Sequence, residues 1–442
     1  MARASRPAAM SPESSEPAAP PPEAPAPERP ALPGALAAAS VPAPVIDVVV
    51  RLQERNHQAY LVGGCVRDLV SGRRPKDYDV ATSATPQQVQ SAFRKVIPTG
   101  IQHGTVTVIS QGEHVEVTTF RTEGAYVDGR RPEAVEFRQD VREDLSRRDF
   151  TINAMAFDPL RPELVDPFGG QDDLEARTVR AVGEPMARFS EDGLRCLRAA
   201  RFAATLGFKV DPATLAAIAP CLPVFRKVAG ERVREELTRL LLSDHPDTGL
   251  KILADTGLLQ EIVPELEPEP ARRSSTVVHR SPQAVDVRLA AFLHPLPPEV
   301  AEQVLRRLTF SNKVTEQVAQ LLRHLLPHGA PAWTDEAIRR WVASLGRELV
   351  TSAFAVSEAI WVADARDLHA RTARVLESRP PLAARDLALD GSGIMRVLGV
   401  GPSRVVGEAT RFLLDRVLER PELNTGEALA ELLRGWSKGP GT

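Results

Sequence analysis

Alternating apolar and polar residues, the signature of strands, occur in the first 180 residues and all but vanish after about residue 181. From there to Trp436 the apolar spacing is mainly helical, broken by Pro and Gly. A chain divided in this way predicts an α+β fold: a mixed sheet carrying helices, followed by an all-helical region.

Within the first part, VIDVVVRLQERN reads as a helix and QAYLVGG as a buried strand ending in glycine. KDYDVATSA reads as a second strand, and TPQQVQSAFRKV as a helix started by Thr85-Pro86. GTVTVIS and HVEVTTF alternate like paired strands turning at Gln111-Gly112, and VEFR is a further strand. LSRRDFTINAMAFDP reads as a helix closing at Asp158-Pro159. In the second part EDGLRCLRAARFAATLGF, DPATLAAIAPCL, ERVREELTRLLLS and DTGLKILADTGLL read as helices, and PEPARRSS as a boundary or mobile loop. Residues 1–44 hold 12 of the 38 prolines among Ala, Ser and Glu, which predicts an extended, disordered tail.

A net charge of -3 gives no global field for polyanions, so nucleic-acid binding must rest on local patches. Three cysteines (65, 196 and 221) lack metal or disulfide spacing and fit a reducing cytoplasm. No apolar run is long enough to span a bilayer, and none has the form of a signal peptide. Neither a membrane nor a protein partner is expected.

Asp77 and Asp79 stand two apart on a predicted strand, which puts both carboxylates on one face. Such a pair suits Mg²⁺, a hard cation shared with substrate phosphates. Glu116 is a third acid if its strand lies alongside. Gly63-Gly64 forms a turn through which backbone N–H groups can approach phosphate, and Arg67 follows it. Asp-x-Asp alone is weak; a solvated strand end is its ordinary meaning.

The combination LVGGCVRD and KDYDVATSATP resembles the first motif of polymerase-beta-like nucleotidyltransferases. The resemblance narrows to bacterial-type (class II) CCA-adding enzymes and poly(A) polymerases through TGIQHGTVTV, EVTTFRTEGAYVDGRRPEAVEF, RRDFTINAMA, LVDPFGGQDDL, EDGLRCLRAARF and GERVREEL. It implies a catalytic head at 45–180, a neck at 181–265 and an RNA-binding body and tail at 266–442. It implies Asp77 and Asp79 as metal ligands, with Glu116 as the third acid. Gly63, Gly64, Arg67, Arg148, Asp149, Asn153, Asp192, Arg195, Arg198 and Arg201 become contacts for the incoming nucleotide. Glu231 and Arg232 match a motif that braces the selecting helix. The implied activity is addition of CCA, or its terminal A, to the tRNA 3′ end from CTP and ATP, with poly(A) polymerase as the alternative. A non-catalytic RNA-binding relative is a third reading.

Base choice has a physical rationale. Asp192 as acceptor and Arg195 as donor, neighbours on a helix, would match the amino group and ring nitrogen that cytosine and adenine both present. Uracil and guanine would leave polar groups mispaired, at roughly 1–3 kcal/mol each. Arg198 and Arg201 drift round the helix and are expected to help the triphosphate or brace neighbours. The loop RTEGAYVDGRRPEAVEF, with Gly124 and Gly129 for mobility, is expected to act as a lever between the C and A states. VDVRLAAFLHPL resembles a decayed His-Asp phosphohydrolase segment: His294 is followed by Pro295, which is a poor metal site.

Overall fold

The structure, a computed structural model, describes residues 34–37, 40–101, 104–123, 126–127, 131–132, 135–137, 140–326, 333–361 and 366–436. Helix α1 (Ala43–Glu54) carries Pro44 in its first turn, where the missing N–H costs nothing, and buries Val45, Val48, Val49 and Leu52. This helix starts at Ala43, two residues before the boundary read from the sequence. A single helical turn, Gly34–Ala37, seats Leu36 in the same apolar cluster as α1.

Seven strands form one mixed sheet: β1 (Ala59–Val62), β2 (Asp79–Thr82), β3 (Val96–Gly100), β4 (Thr105–Ser110), β5 (Glu113–Thr119), β6 (Ala156–Asp158) and β7 (Glu163–Val165). Their spatial order is β7-β6-β1-β2-β5-β4-β3. Only β2 and β5 pair in parallel; the other neighbours are antiparallel. The β4–β5 hairpin turns at Gln111 and Gly112, both with positive φ, as a tight two-residue hairpin requires. Leu61, Val80, Val106, Val115 and Val117 fill one face of the sheet beneath α1 and α2 (Gly64–Val70); Val62, Ala81, Phe120 and Ala156 fill the other. Thr85 caps the next helix, with Gln88 closing a reciprocal capping box.

Three segments depart from their sequence reading. LSRRDFTINAMAFDP is not one helix: Val141–Ser146 is helical, Thr151–Asn153 is a 3₁₀ turn, and Ala156–Asp158 is β6. Ile152, Ala154, Met155 and Ala156 are all fully buried, so their apolar run carries no period to distinguish strand from helix. PEPARRSS is the start of the helix Pro268–Arg280, with both prolines in the first turn. DPATLAAIAPCL breaks into Pro212–Ala216 and a 3₁₀ turn at Ala219–Cys221.

Helix α3 (Leu194–Leu206) ends at Gly207, which is left-handed with φ 67. It packs against α4 (Gly230–Leu241). Beyond these lie α5 (Val285–Leu293) and α6 (Asn312–Arg323). One apolar cluster runs from Phe150 through the neck helices to Leu418, and a second, small one joins Leu387 to Leu433. Arg288 on α5 is buried, and its guanidinium donates to the carbonyls of Ser281, Leu241 and Ser243, closing the C-terminal end of α4. Removing it strands several buried carbonyls. Arg288→Ala should lose about 3 kcal/mol of stability, read from urea denaturation midpoints; a change within about 0.5 kcal/mol would refute the stapling role.

Candidate active site

β1 delivers the chain to Gly63, whose φ of 74 few side chains tolerate. A Cβ there would stand 2.9 Å from an Arg148 guanidinium nitrogen, so the glycine also makes room for that arginine. The next strand begins at Asp79, not earlier. Asp77 lies in the bend before β2, so the expectation that both acids ride one strand is corrected. The chain is still turning at Lys76-Asp77, and pairing with β1 starts only at Val62↔Asp79.

Across the parallel pair, Asp79 stands in register with Glu116. In-register neighbours share a face, so the two carboxylates project together. The crowding has an electrostatic signature. Burial first, then the Glu116 and Asp77 carboxylates, push the Asp79 carboxyl up to about 6, against the pull of Arg148. Among the described residues no group of three His, Cys, Asp or Glu is drawn tightly enough to define a metal centre. The donor chemistry nevertheless fits a hard divalent cation: all-oxygen ligands whose mutual repulsion a positive ion would relieve.

Facing these acids, Asp144 is fully buried. Burial works to raise its pKa, but Arg148 and Arg147 hold it below the usual carboxylate range. Arg147 donates to it at 2.6 Å and Arg148 at 3.1 Å, which aims both cations into the space above the sheet. Asp149 accepts from the Phe150 N–H at 2.8 Å, from Asn153 at 3.3 Å and from Arg198 at 2.6 and 2.8 Å. Although burial opposes it, the Arg198 guanidinium draws the Asp149 carboxyl down to about 2. Arg198 then donates to Glu236 at 3.2 Å, and Arg201 donates to the other Glu236 oxygen at 2.8 Å. On the sheet side, Arg67 donates to Asn153 at 2.8 Å. A single hydrogen-bonded chain thus runs from α2 to α4: Arg67, Asn153, Asp149, Arg198, Glu236, Arg201. Phe202 lies against it, with the Arg201 guanidinium 3.5 Å from its ring centre.

A cavity of about 360 Å³ opens between sheet and neck. Asp79 and Glu116 line one side; Arg148, Asp149, Asp192, Arg195 and Arg198 line the other. Asp77, Gly63, Gly64, Arg67, Asn153 and Arg201 do not line it, and the last three act through the chain just described. Asp192 is not on the helix with Arg195. It is extended, at φ -145, and sits two residues before α3, where its Oδ1 accepts from the Leu194 N–H. Gly193, pressed against the Val224–Phe225 backbone, separates the two helices.

Sequence reasoning missed four groups. Arg121 and Arg147 line the cavity. Arg232, assigned only a bracing role, lines it too and grips Asp192 at 2.7 and 3.2 Å. Glu191 holds Arg195 at 2.6 Å and Arg188 at 2.7 Å. Its place four residues before Arg195 was the available signal. The lever glycines Gly124 and Gly129 lie outside the described residues. His294 caps α5 and meets the Ala291 carbonyl through Nδ1 at 2.9 Å.

Sheet, acids and facing cations define a nucleotidyltransferase of the polymerase-beta-like kind. Residues 59–180 match the Poly A polymerase head domain, and residues 207–269 match a family described as the probable RNA and SrmB- binding site of polymerase A. The CCA-adding enzyme of Geobacillus stearothermophilus is 37% identical over 82% of this chain and 89% of its own length. That of Lactobacillus delbrueckii subsp. bulgaricus is 38% identical over 88% and 96%. The crystal structure of Bacillus stearothermophilus CCA-adding enzyme in complex with CTP superposes with a TM-score of 0.77 at 32% identity, covering 89% of this chain and 96% of that one. The chain belongs to the CCA-adding enzyme family.

The depressed Asp149 carboxyl carries a pH prediction. A carboxylate whose folded pKa lies below its unfolded value stabilises the fold above about pH 4, and that contribution fades as pH falls towards 2. Asp149→Asn should therefore be about 2 kcal/mol less stable than the parent at pH 7. The gap should narrow steadily in denaturation curves taken from pH 4 downwards. A gap unchanged at pH 3 would remove the ion pair from the account.

Proposed function

We infer that this enzyme adds CCA to the 3′ end of tRNA from CTP and ATP, without a nucleic-acid template and with release of pyrophosphate. The observation that carries the reading is one cavity with two chemically distinct walls: Asp79 and Glu116 on the sheet, Asp192 and Arg195 on the neck. Phosphoryl chemistry belongs at the first wall and base recognition at the second. The full-length relatives bear the name CCA-adding enzyme, which favours this reading over poly(A) polymerase.

Members of the family use divalent metal ions, and we assign Mg²⁺ to Asp77 and Asp79, with Glu116 beside them. Such an ion, when bound, neutralises charge on the phosphates and lowers the pKa of the attacking hydroxyl. The chain's own residues do the positioning. Arg148, with Arg147, holds the triphosphate, and the RNA 3′ hydroxyl attacks the α-phosphorus in line as pyrophosphate departs. We assign nucleotide contacts to Gly63, Gly64, Arg67, Asp149, Asn153, Arg198 and Arg201 as well. For Arg67, Asn153 and Arg201 the contact works by fixing their neighbours.

Counting hydrogen-bond capacity supports the base-reading role. The Asp192 carboxylate has about four acceptor sites. The Leu194 N–H and the Arg232 guanidinium occupy three, which leaves one for the amino group of cytosine or adenine. Arg195 has five N–H groups. Contacts to Glu191, the Arg188 carbonyl and the Arg147 carbonyl use three, which leaves two for the ring nitrogen. This remaining capacity on both groups supports the pairing-edge reading. Among the described residues no helix is long and apolar enough to cross a membrane. With its free cysteines, we place the enzyme in the cytoplasm.

Incubation with Mg²⁺, single labelled nucleotides and tRNAs truncated stepwise through CCA tests the reading. Incorporation should stop after C, C and A; a long A tail on any RNA would point to poly(A) polymerase. Asp79→Ala should lower incorporation at least about a thousandfold with the fold intact by circular dichroism. Asp192→Ala should admit UTP while leaving triphosphate affinity within about threefold. Unchanged base choice would refute the pairing-edge assignment.

A further inference from the structure

The two arginines assigned to the triphosphate and the arginine assigned to the base are joined through one peptide unit, and Asp144 anchors that unit from behind. Asp144 is fully buried and does not line the cavity, so it does not face the nucleotide directly. Its Oδ1 accepts from Arg147 Nε at 3.0 Å and from a terminal nitrogen of the same guanidinium at 2.6 Å. Its Oδ2 accepts from Arg148 at 3.1 Å. Arg147 and Arg148 both line the cavity. A carboxylate shared in this way fixes the direction of both guanidinium planes as well as balancing their charge.

The peptide between Arg147 and Arg148 carries the connection. Its N–H, on Arg148, donates to the Leu145 carbonyl at 3.2 Å, and its carbonyl, on Arg147, accepts from Arg195 at 3.0 Å. Arg147 caps the helix Val141–Ser146, where carbonyls lack a partner within the helix, and Arg195 fills that role. Arg195 is held on its other side by Glu191 at 2.6 Å. The side chains at both ends of the peptide grip one carboxylate. Turning the peptide to follow a displaced Arg195 would therefore draw both guanidiniums away from Asp144. Arg148 Nε is buried with no hydrogen-bond partner among the described residues, which marks a guanidinium placed by its surroundings and not by its own pairing alone.

We propose that Asp144 is a positioning residue that couples base reading to triphosphate placement. The inference rests on the reading of this cavity as a site for CTP and ATP. With cytosine or adenine, Arg195 meets an acceptor nitrogen and keeps its bond to the Arg147 carbonyl, so Arg147 and Arg148 stay where the phosphates need them. With uracil, a ring N–H opposes a donor. Arg195 is pushed aside, the peptide follows, and the grip on the triphosphate loosens. A wrong base is then penalised at the phosphorus as well as at its own edge, and selectivity appears in turnover as well as in binding. Without the Asp144 carboxylate the two arginines are placed equally poorly whichever base is bound, and the second penalty is lost.

Single-nucleotide incorporation into tRNA lacking CCA, with CTP and with UTP, together with calorimetry of inorganic pyrophosphate in Mg²⁺, tests this. Asp144→Asn should bind pyrophosphate about tenfold more weakly. It should also lower kcat for CTP more than kcat for UTP, cutting their ratio about tenfold. Arg147→Lys keeps a cation beside Asp144 but loses the two-nitrogen grip, and should shift both readouts the same way even if Asp144→Asn does not fold. A ratio of kcat values does not depend on the fraction of protein that is folded, so a merely structural role leaves the CTP-to-UTP ratio at the parent value. That result in both variants overturns the coupling. A parent that extends no tRNA fails the underlying reading instead; calorimetry then decides alone, and parent-like pyrophosphate affinity in both variants overturns the positioning role.

Discussion

The contact between Asp149 and Arg198 joins the sheet region to the neck at the wall of the cavity. Asp149 belongs to the segment that leads into β6, and Arg198 to the neck helix α3. Their bond closes the sheet region against the helices, and both residues form part of the cavity wall. Such a pair has a heavy desolvation cost, which further hydrogen bonds to both partners offset. Asp149 also receives a backbone N–H and an amide, and Arg198 also reaches Glu236. Loss of either partner leaves the other buried and charged, which is typically far costlier than loss of a surface pair.

The sheet wall works on the opposite principle. Where Asp149 is matched by positive charge, Asp79 is crowded by negative charge from Glu116 and Asp77. That crowding is unfavourable in the protein alone and favourable once a divalent cation and a triphosphate arrive. The two walls thus differ: one is satisfied internally and keeps its shape, and the other is left unsatisfied, which under the proposed function is the side that substrate meets.

The fold class was legible from hydrophobic period because strands β4 and β5 and helix α4 each have one solvated face. The period failed where no face is solvated. Residues 151–156 are buried all round, and only pairing with β1 and β7 makes part of them a strand. Glu116 was legible only on the condition that its strand lay beside that of Asp79; the parallel pairing of β2 with β5 meets the condition, and its register was not readable in advance. Asp77 was misplaced because spacing along the chain says nothing about where a strand begins to hydrogen-bond. Asp192 and Arg195 were rightly taken together but wrongly set on one helix: Gly193 breaks it, and the reason is a neighbour more than 30 residues on, the Val224–Phe225 backbone. Arg232 in the cavity could not be foreseen from position, because its partner Asp192 is 40 residues away in sequence.

A double-mutant cycle between Asp149→Asn and Arg198→Met, read as CTP affinity by calorimetry, measures the joint itself. If the pair acts as one unit that shapes the cavity, the double variant binds CTP no more weakly than the poorer single variant, with a coupling of about 1–3 kcal/mol. Strictly additive losses, or CTP affinity indifferent to both changes, would mean that the two residues do not build the cavity together.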